Sequence, residues 1–435
     1  MSNVSISVPY GGHLPPGWKV VPLKYLASLQ NGYSFKSDSW TESGTPIIRI
    51  DNLNGSEQYN YSSAEVGGRY QVHRGDLLYA WSGNPGTSFG PFRWDREGEF
   101  FLNQHIFSVN IYGCNKNWLY WSLKAATHWI EQALTSGMIG MVHVTKEELE
   151  NVPIPIPPLE EQRRIADFLD AETSKVDLLV EASARQSDLL AERLQEAIRV
   201  ATTTHSGPTA STGVDWMPHI NAAWRLAKVG QVFMTGSGTT PSSEVEDYFN
   251  GAIPWVNSAD LNDRGISSTI RNISHEALRD YPALKIHPAG SLIVAMYGQG
   301  ETKGRVGLLE FDACVNQACC VLTPMDGINV LFVSYWFRAH KDGVVALAVG
   351  AGQPNLSQEL IRQLRIPIPD VQWQGRIVAE LQELEDSIAT RSTFLDSRSR
   401  LLTEHRQALI TAAVTGQIDV TTTTRRWTPS ESVSV

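Results

Sequence analysis

A chain of 435 residues, 42% of them apolar and 19% charged, carries enough core-forming material for two or three domains and has the balance of an ordinary soluble protein. No apolar run reaches the roughly 18–20 residues that a membrane helix needs, so no transmembrane span is expected. The formal net charge of −10 lowers the expectation of a stand-alone tight DNA binder, because Lys and Arg contacts to phosphate supply most of such affinity. A local basic surface, or a basic partner, can still bring an acidic chain onto a duplex.

Met1-Ser-Asn-Val-Ser-Ile has no basic stretch followed by an apolar one, so no secretory signal is expected. Cys114, Cys314, Cys319 and Cys320 are too few for a disulfide framework and suit a reducing, cytoplasmic setting. Cys319 and Cys320 sit in an apolar run and read as buried thiols, and no CxxC pair with His at ligand spacing suggests zinc. From about Trp18 to Pro153 short apolar runs (Pro46–Ile50, Asp76–Ala80, Phe100–Leu102) alternate with Gly/Asn/Ser turns, the pattern of short, buried strands. Trp118 to Ile130 predicts a helix with one aromatic face, and Thr145-Lys-Glu-Glu148 predicts a capping box.

Ile154-Pro-Ile-Pro-Pro-Leu-Glu-Glu-Gln162 then predicts a proline-stiffened strand end opening a long helix to about Thr203. Ile165, Leu169, Val176, Leu179, Leu190 and Leu194 mark its seam, with polar interruptions at Glu172, Ser183 and Gln186. A polar Gly/Ser/Thr stretch, Ala201 to Gly213, reads as a linker without core residues. The pattern then repeats. Ile366-Pro-Ile-Pro-Asp-Val-Gln-Trp-Gln374 opens a second helical run whose Ile377, Leu381, Leu384, Ile388, Leu395, Leu402 and Leu409 follow coiled-coil spacing. Earlier blocks recur too. Pro46 to Leu53 matches Pro254 to Leu261 with one residue's slip, His73 to Leu78 matches His287 to Ile293 with another, and Leu102-Asn-Gln matches Val315-Asn-Gln. Gly140 to Thr145 matches Gly352 to Ser357. A repeat this long is a duplicated domain-plus-helix, not a solenoid.

Catalytic signatures are missing. Gly298-Gln-Gly-Glu-Thr-Lys-Gly304 is not a phosphate loop, Asn84-Pro-Gly-Thr falls short of a methyltransferase Asn-Pro-Pro-Tyr loop, and His105, His143 and His287 have no triad context. The chain resembles the specificity (S) subunits of type I restriction–modification systems. The resemblance covers nearly its whole length and is carried by Gly236-Ser-Gly-Thr-Thr-Pro241, Gly251-Ala-Ile-Pro-Trp-Val256 with Asp260-Leu261, Val315-Asn-Gln317 and Ile154 to Gln162 with Ile165 and Leu169. Glu404 to Ile410 and Ala413 to Asp419 complete the set. Two departures stand out: Asp370-Val-Gln-Trp-Gln374 replaces a Pro-Leu-x-Glu-Gln pattern, and the first unit lacks Gly-x-Thr-Pro.

The resemblance implies an α+β fold of two mixed α/β target recognition domains, each followed by a long helix. The helices would pair as an antiparallel coiled coil, with pseudo-two-fold symmetry from internal duplication. It divides the chain into recognition domain 1 (1–157), central helix (158–205), linker and recognition domain 2 (206–370), C-terminal helix (371–420) and a disordered tail (421–435). It also implies a non-catalytic, sequence-specific subunit reading a bipartite site in double-stranded DNA, with the helices as a ruler for the spacer. Two methyltransferase subunits would methylate adenine N6 with S-adenosylmethionine, and motor-nuclease subunits would use ATP and Mg; no cofactor is expected on this chain.

Base and phosphate contacts favour Arg, Lys, Asn and Gln on loops, which selects Lys36, Arg49, Arg69, Arg93 and Arg96 in the first unit. In the second unit the same criterion selects Lys303, Arg305, Gln353 and Asn355. Each also fits a solvated charge or a turn residue. Asn103-Gln104 and Asn316-Gln317, set among apolar residues in both copies, suggest structural hydrogen bonding instead. A coiled-coil scaffold that has lost DNA reading is the alternative function, and an enzyme of unrecognised type a third. Target bases and spacer length are not legible.

Overall fold

The computed structural model describes residues 14–36, 38, 40–135, 141–298, 300–348 and 355–420. The chain divides into two compact units, one running to Ser183 and resuming at Ser397, the other spanning Ala184–Asp396. Each unit therefore takes in half of each long helix, where the sequence reading set the helices apart as segments of their own. The expected tail, 421–435, lies outside the described residues.

In the first unit Lys19–Pro22 pairs antiparallel with Pro153–Ile156, closing the domain where the long helix Leu159–Ala201 begins. Pro153 and Pro155 alternate along that strand, so both missing donors face away from the partner and the ladder survives. One sheet runs Ala27–Asn31, Ile106–Ile111, Leu77–Ala80, Gly90–Arg93, all antiparallel. A second runs Asn60–Ser62, Thr45–Ile48, Phe100–Leu102, Gln71–Val72, with a parallel central pair. Leu77–Ala80 is buried at every position, which explains an apolar run without alternation. The helix Lys116–Thr135 covers this core with Trp118, Trp121 and Trp129 inward. Thr145 caps Lys146–Glu150 as expected: Glu148 N donates to Thr145 Oγ1 (3.2 Å) and Thr145 N to Glu148 Oε2 (2.8 Å).

The second unit repeats the plan. Arg225–Lys228 pairs with Arg365–Ile368 ahead of the helix Val371–Val414. Phe233–Ser237, Cys319–Pro324, Leu292–Ala295 and Val306–Leu309 form the main sheet, which Gly265–Ile266 extends as a fifth strand. Arg271–Ile273, Ile253–Val256 and Cys314–Val315 form the smaller one. The aromatic helix is broken here into Val330–Ala339 and Lys341–Ala346. Burial pushes the thiols of Cys314 and Cys320 up to about 11 and about 12, making both inert at neutral pH.

Both departures from the family pattern resolve into kept geometry. Gln162 is buried; its amide donates to Pro157 O (2.8 Å) and its carbonyl accepts from Asn115 N (2.7 Å). Gln374 is fully buried and does the same with Pro369 O (2.9 Å) and Asn329 N (2.7 Å), adding Gly327 O (3.1 Å). Asn115 and Asn329 in turn bond the first turns of the aromatic helices. The Gly-x-Thr-Pro element also has a partial counterpart in the first unit. A Cβ on Gly238 would stand 1.7 Å from Val315 O, and one on Gly32 would stand 2.2 Å from Asn103 O. Both strands need glycine to pass the Asn-Gln turn, so the first unit keeps the glycine and differs only in the residues after it.

Three expectations are corrected. The slip at Pro46 to Leu53 is absent: Ile48 and Val256 hold equivalent ladder positions beside Leu102 and Val315, so the blocks run in step. The stretch after Ala201 is not a bare linker. Thr209–Ser211 pairs with His219–Asn221, Thr202 and Thr203 are buried, and Asn221 Nδ2 donates to Thr204 O and Ser206 O. Met217 and Ile220 join the core, so side-chain hydrogen bonds let a polar segment fold down.

The third correction concerns the seam. Ile165, Leu169, Val176, Leu190, Ile377, Leu381 and Leu395 are buried, while Leu384, Ile388, Leu402 and Leu409 are half-buried. Leu179 is not in the seam but 48% exposed, and Val180 takes its place. Stepping by four and three from Leu169 reaches Thr173, Val176, Val180, Ser183, Ser187 and Leu190, so Glu172 and Gln186 are bystanders. Thr173 and Ser183 are tolerated because their hydroxyls donate to Leu169 O (2.6 Å) and Leu179 O (2.7 Å). Pairing is antiparallel within each unit. Asp177 meets Arg406 (2.9 Å) and Ser183 meets Arg398 (2.7 Å) in the first; Ser187 meets Ser392 (3.5 Å) and His205 meets Glu380 (3.3 Å) in the second.

Candidate nucleic-acid interface

In the first unit the strand Thr45–Ile48 ends at Arg49, which opens the short helix Ile50–Leu53. Arg49 N donates to Asn52 Oδ1 (2.9 Å), while its guanidinium donates to Asn60 Oδ1 (2.9 Å) and lies 5.2 Å over the Trp40 ring. Arg49 borders a groove of about 340 Å³ whose other polar walls include Asn54, Asn84, Thr87 and His105. The Asn84 carbonyl accepts from the amides of Thr87, Ser88 and Phe89, a tight turn that leaves the Asn84 side chain exposed. His105 packs at a tilt against Trp81, with ring centroids 5.3 Å apart, and the Trp81 indole donates to Gln104 O (3.0 Å). Arg, Asn, Thr and His around one open groove are the types that bond base edges and phosphates.

Other candidates occupy different ground. Arg96 stacks on Tyr59 and Trp94 and bonds Tyr59 OH, beside a second hollow bounded by Asn52 and Gly55. Arg69 lies 4.6 Å over Tyr70, which packs at 5.3 Å against the exposed Tyr33; Lys36 is exposed a few residues along the same loop. Both guanidiniums are held by bonds as well as rings: Arg96 also donates to Gly55 O (3.3 Å), and Arg69 donates to Tyr70 OH (2.6 Å). Arg93 departs from the expected loop role: it donates to Asp170 (2.8 Å) on the long helix and lies 4.1 Å over Tyr120, an internal engagement.

In the second unit Asn257 stands where Arg49 stands in the first, capping Ser258–Asp260 through Ala259 N (2.8 Å). Arg305 is half-exposed, 3.9 Å from Glu301, in the turn after the 3-10 segment Gly300–Thr302; Lys303 is half-exposed beside it. Asn355 is exposed, and Gln353 lies outside the described residues. Asn103 and Asn316 are the structural pair expected. Their side-chain Oδ1 atoms accept from His105 N (3.4 Å) and Ala318 N (3.0 Å), and their backbone N–H groups donate to Ile48 O (3.1 Å) and Val256 O (2.9 Å). Gln317 accepts from Thr240, tying the Gly-Ser-Gly-Thr-Thr-Pro segment to the turn. Among the described residues no group of three or more His, Cys, Asp or Glu could hold a metal, and no helix is long and apolar enough to cross a membrane.

The family profile for the type I restriction modification DNA specificity domain matches residues 15–183 and again 221–395. The chain belongs to this family. Some relatives match over most of their length: the EcoBI specificity subunit of Escherichia coli is 23% identical over 92% of this chain and 86% of its own. A putative MjaX specificity subunit of Methanocaldococcus jannaschii is 21% identical over 94% and 96%. Among solved structures, a chain from a study of assembly and conformational transition of the type I R-M system superposes with a TM-score of 0.72. It is 18% identical, covering 94% of this chain and all of that one. The HsdS subunit of Thermoanaerobacter tengcongensis gives 0.55 at 18% identity, covering 94% and 99%. These structures share the fold. Both family matches run into the long helices and end within them, at residues 183 and 395.

Sequence reasoning missed Asn54, Asn84, Thr87 and His105. The sequence offers Asn84-Pro-Gly-Thr only as an incomplete methyltransferase loop; the fold makes it a turn on the groove that Arg49 borders. Arg49→Ala is expected to relax one base position of the DNA target by about 1–3 kcal/mol, leaving the other positions intact. A selection of bound sequences with that variant checks it; an unchanged motif would remove Arg49 from the readers.

Proposed function

We propose that the chain is the sequence-reading subunit of a type I restriction–modification complex, with one half of a bipartite DNA target read by each recognition domain. One observation carries this. Both units keep the framework (the buried Gln162 and Gln374, the Asn-Gln turn, the close-approach glycine), while an equivalent rim position holds Arg49 in one and Asn257 in the other. A duplicated frame with different rim side chains suits two different half-sites. Partner methyltransferase subunits would supply N6-adenine methylation with S-adenosylmethionine, and motor-nuclease subunits ATP-dependent cleavage. The exposed Leu178, Leu179 and Leu401 in the first unit, and Leu189 and Phe394 in the second, offer apolar footing for such subunits on the helices.

The test is to co-express the chain with its cognate methyltransferase subunit in a methylation-free host and map N6-methyladenine genome-wide. A bipartite motif that needs both chains supports the reading; a stable complex with no motif favours the coiled-coil scaffold. The helices, of 43 and 44 residues, each span about 65 Å and are proposed as the ruler for the spacer. Inserting four residues, about 6 Å, into both is expected to lengthen the methylated spacer by about one to two base pairs. An unchanged spacer would end the ruler assignment.

A further inference from the structure

Apolar packing joins each recognition domain to the long helix that follows it, but such contact is non-directional and leaves the angle between them soft. Direction comes from hydrogen bonds. Gln162 and Gln374 fix the start of each helix, and in the first unit Glu161 accepts from Trp18 Nε1 (3.1 Å). One carboxylate about two to three turns further along each helix adds a second point. In the first unit Asp170 Oδ1 accepts from Trp121 Nε1 (2.8 Å) and Arg93 Nη1 (2.8 Å), with Arg93 stacked on Tyr120. In the second, Glu385 Oε2 accepts from Tyr335 OH (2.6 Å) and Oε1 from Arg338 Nη2 (2.6 Å), with Arg338 lying 5.0 Å over the Tyr335 ring.

Counted from the capping Asn115 and Asn329, Trp121 and Tyr335 both stand six residues on. Counted from Gln162 and Gln374, however, Asp170 is eight residues on and Glu385 eleven, positions that share a helix face. Gln382 stands where Asp170 would, and the back-bonded Thr173 stands where Glu385 would. The two copies thus reach the same arrangement, an aromatic donor and a stacked Arg on one carboxylate, from different helix positions and with Arg93 and Arg338 drawn from different elements.

We propose that Asp170 and Glu385 are positioning residues for target recognition: each fixes the angle at which its domain is carried by its helix, and together they set the spacer length that the complex accepts. This rests on the specificity reading above. A tilt of about 10° acting over a domain radius of about 15–20 Å moves the reading surface by about 3 Å, close to one base-pair step of about 3.4 Å. The ion pairs are only half-buried, at 33% and 35% side-chain exposure for Arg93 and Asp170 and 17% and 29% for Arg338 and Glu385. Their loss should therefore loosen the angle without unfolding the domain.

The experiment uses Asp170→Asn, Glu385→Gln and the double variant, each co-expressed with the cognate methyltransferase subunit and read by genome-wide N6-methyladenine mapping. The expected result is unchanged half-sites and at least a ten-fold rise, in the double variant, in methylation at spacers one base pair longer or shorter. A purely structural role would lower methylation at the parental spacer without broadening it, and that result overturns the proposal. If a charge change unfolds the chain, Tyr335→Phe removes one donor and keeps the ring; a smaller broadening is expected there, and strict spacing counts against the clamp. A parental chain that methylates no bipartite motif refutes the specificity reading, and the proposal falls with it.

Discussion

Gln374→Ala is expected to destabilise the second unit by about 3 kcal/mol or more, seen as an earlier first transition in urea denaturation. The side chain makes three hydrogen bonds at a position with no solvent exposure, to Asn329 N, Pro369 O and Gly327 O. Truncation strands Pro369 O and Asn329 N, at about 1–3 kcal/mol for a buried unsatisfied group, and also loses the bond to the exposed Gly327. Gln162→Ala strands two partners and should cost less, about 2 kcal/mol on the same reasoning. The order of the two variants is the sharper check, since both helices start with the same device. A midpoint equal to that of the parent in both would mean that the Gln is incidental to how the helix leaves the domain. Gln374→Glu separates the donors from the acceptor. It keeps the oxygen facing Asn329 N but sets a carboxylate against two carbonyls, so it should be at least as damaging as Ala.

Gly238→Ala carries the second large effect. Its Cβ would lie 1.7 Å from Val315 O, with the neighbouring carbonyl carbon at 2.6 Å, so backbone rather than a flexible side chain has to yield. Forcing volume into such a contact costs about 1–3 kcal/mol, and more where backbone must move. The damage should also reach the Asn316-Gln317 turn, because Gln317 and Thr240 bond each other just beyond the glycine. Gly32→Ala meets Asn103 O at 2.2 Å and should behave alike in the first unit. Gly375→Ala is the control: it lies within the helix Val371–Val414 with nothing within 4 Å of its added Cβ. There Ala should stabilise by about 0.5–1 kcal/mol through helix propensity alone. Thermal melts of the three variants decide the matter; a tolerated Gly238→Ala would mean that the strand is free to shift away from the turn.

Much of this architecture was legible in the chain itself. Pro153 and Pro155 announce a strand that can pair on one side only, Glu148 three residues after Thr145 announces a cap, and the recurrence of Ile-Pro-Ile-Pro announces a duplication. These are local rules, fixed by neighbours a few residues apart. The Asn-Gln dipeptides were legible as structural because polar residues inside apolar runs need partners.

What the sequence could not supply were matters of phase and of distance. Leu179 is apolar and near the seam, yet helix phase, set by packing against the partner segment, selects Val180 and admits Ser183. Arg93 looks like any loop arginine until the fold brings Asp170 to it across 77 residues of chain. The groove residues Asn84 and His105 gain meaning only when two turns are set against Arg49. Local sequence determined the elements and their repetition, because dihedral preferences and period are short-range properties. Only the tertiary structure decided which polar side chains are used internally and which line the groove, because that depends on which distant groups each one meets.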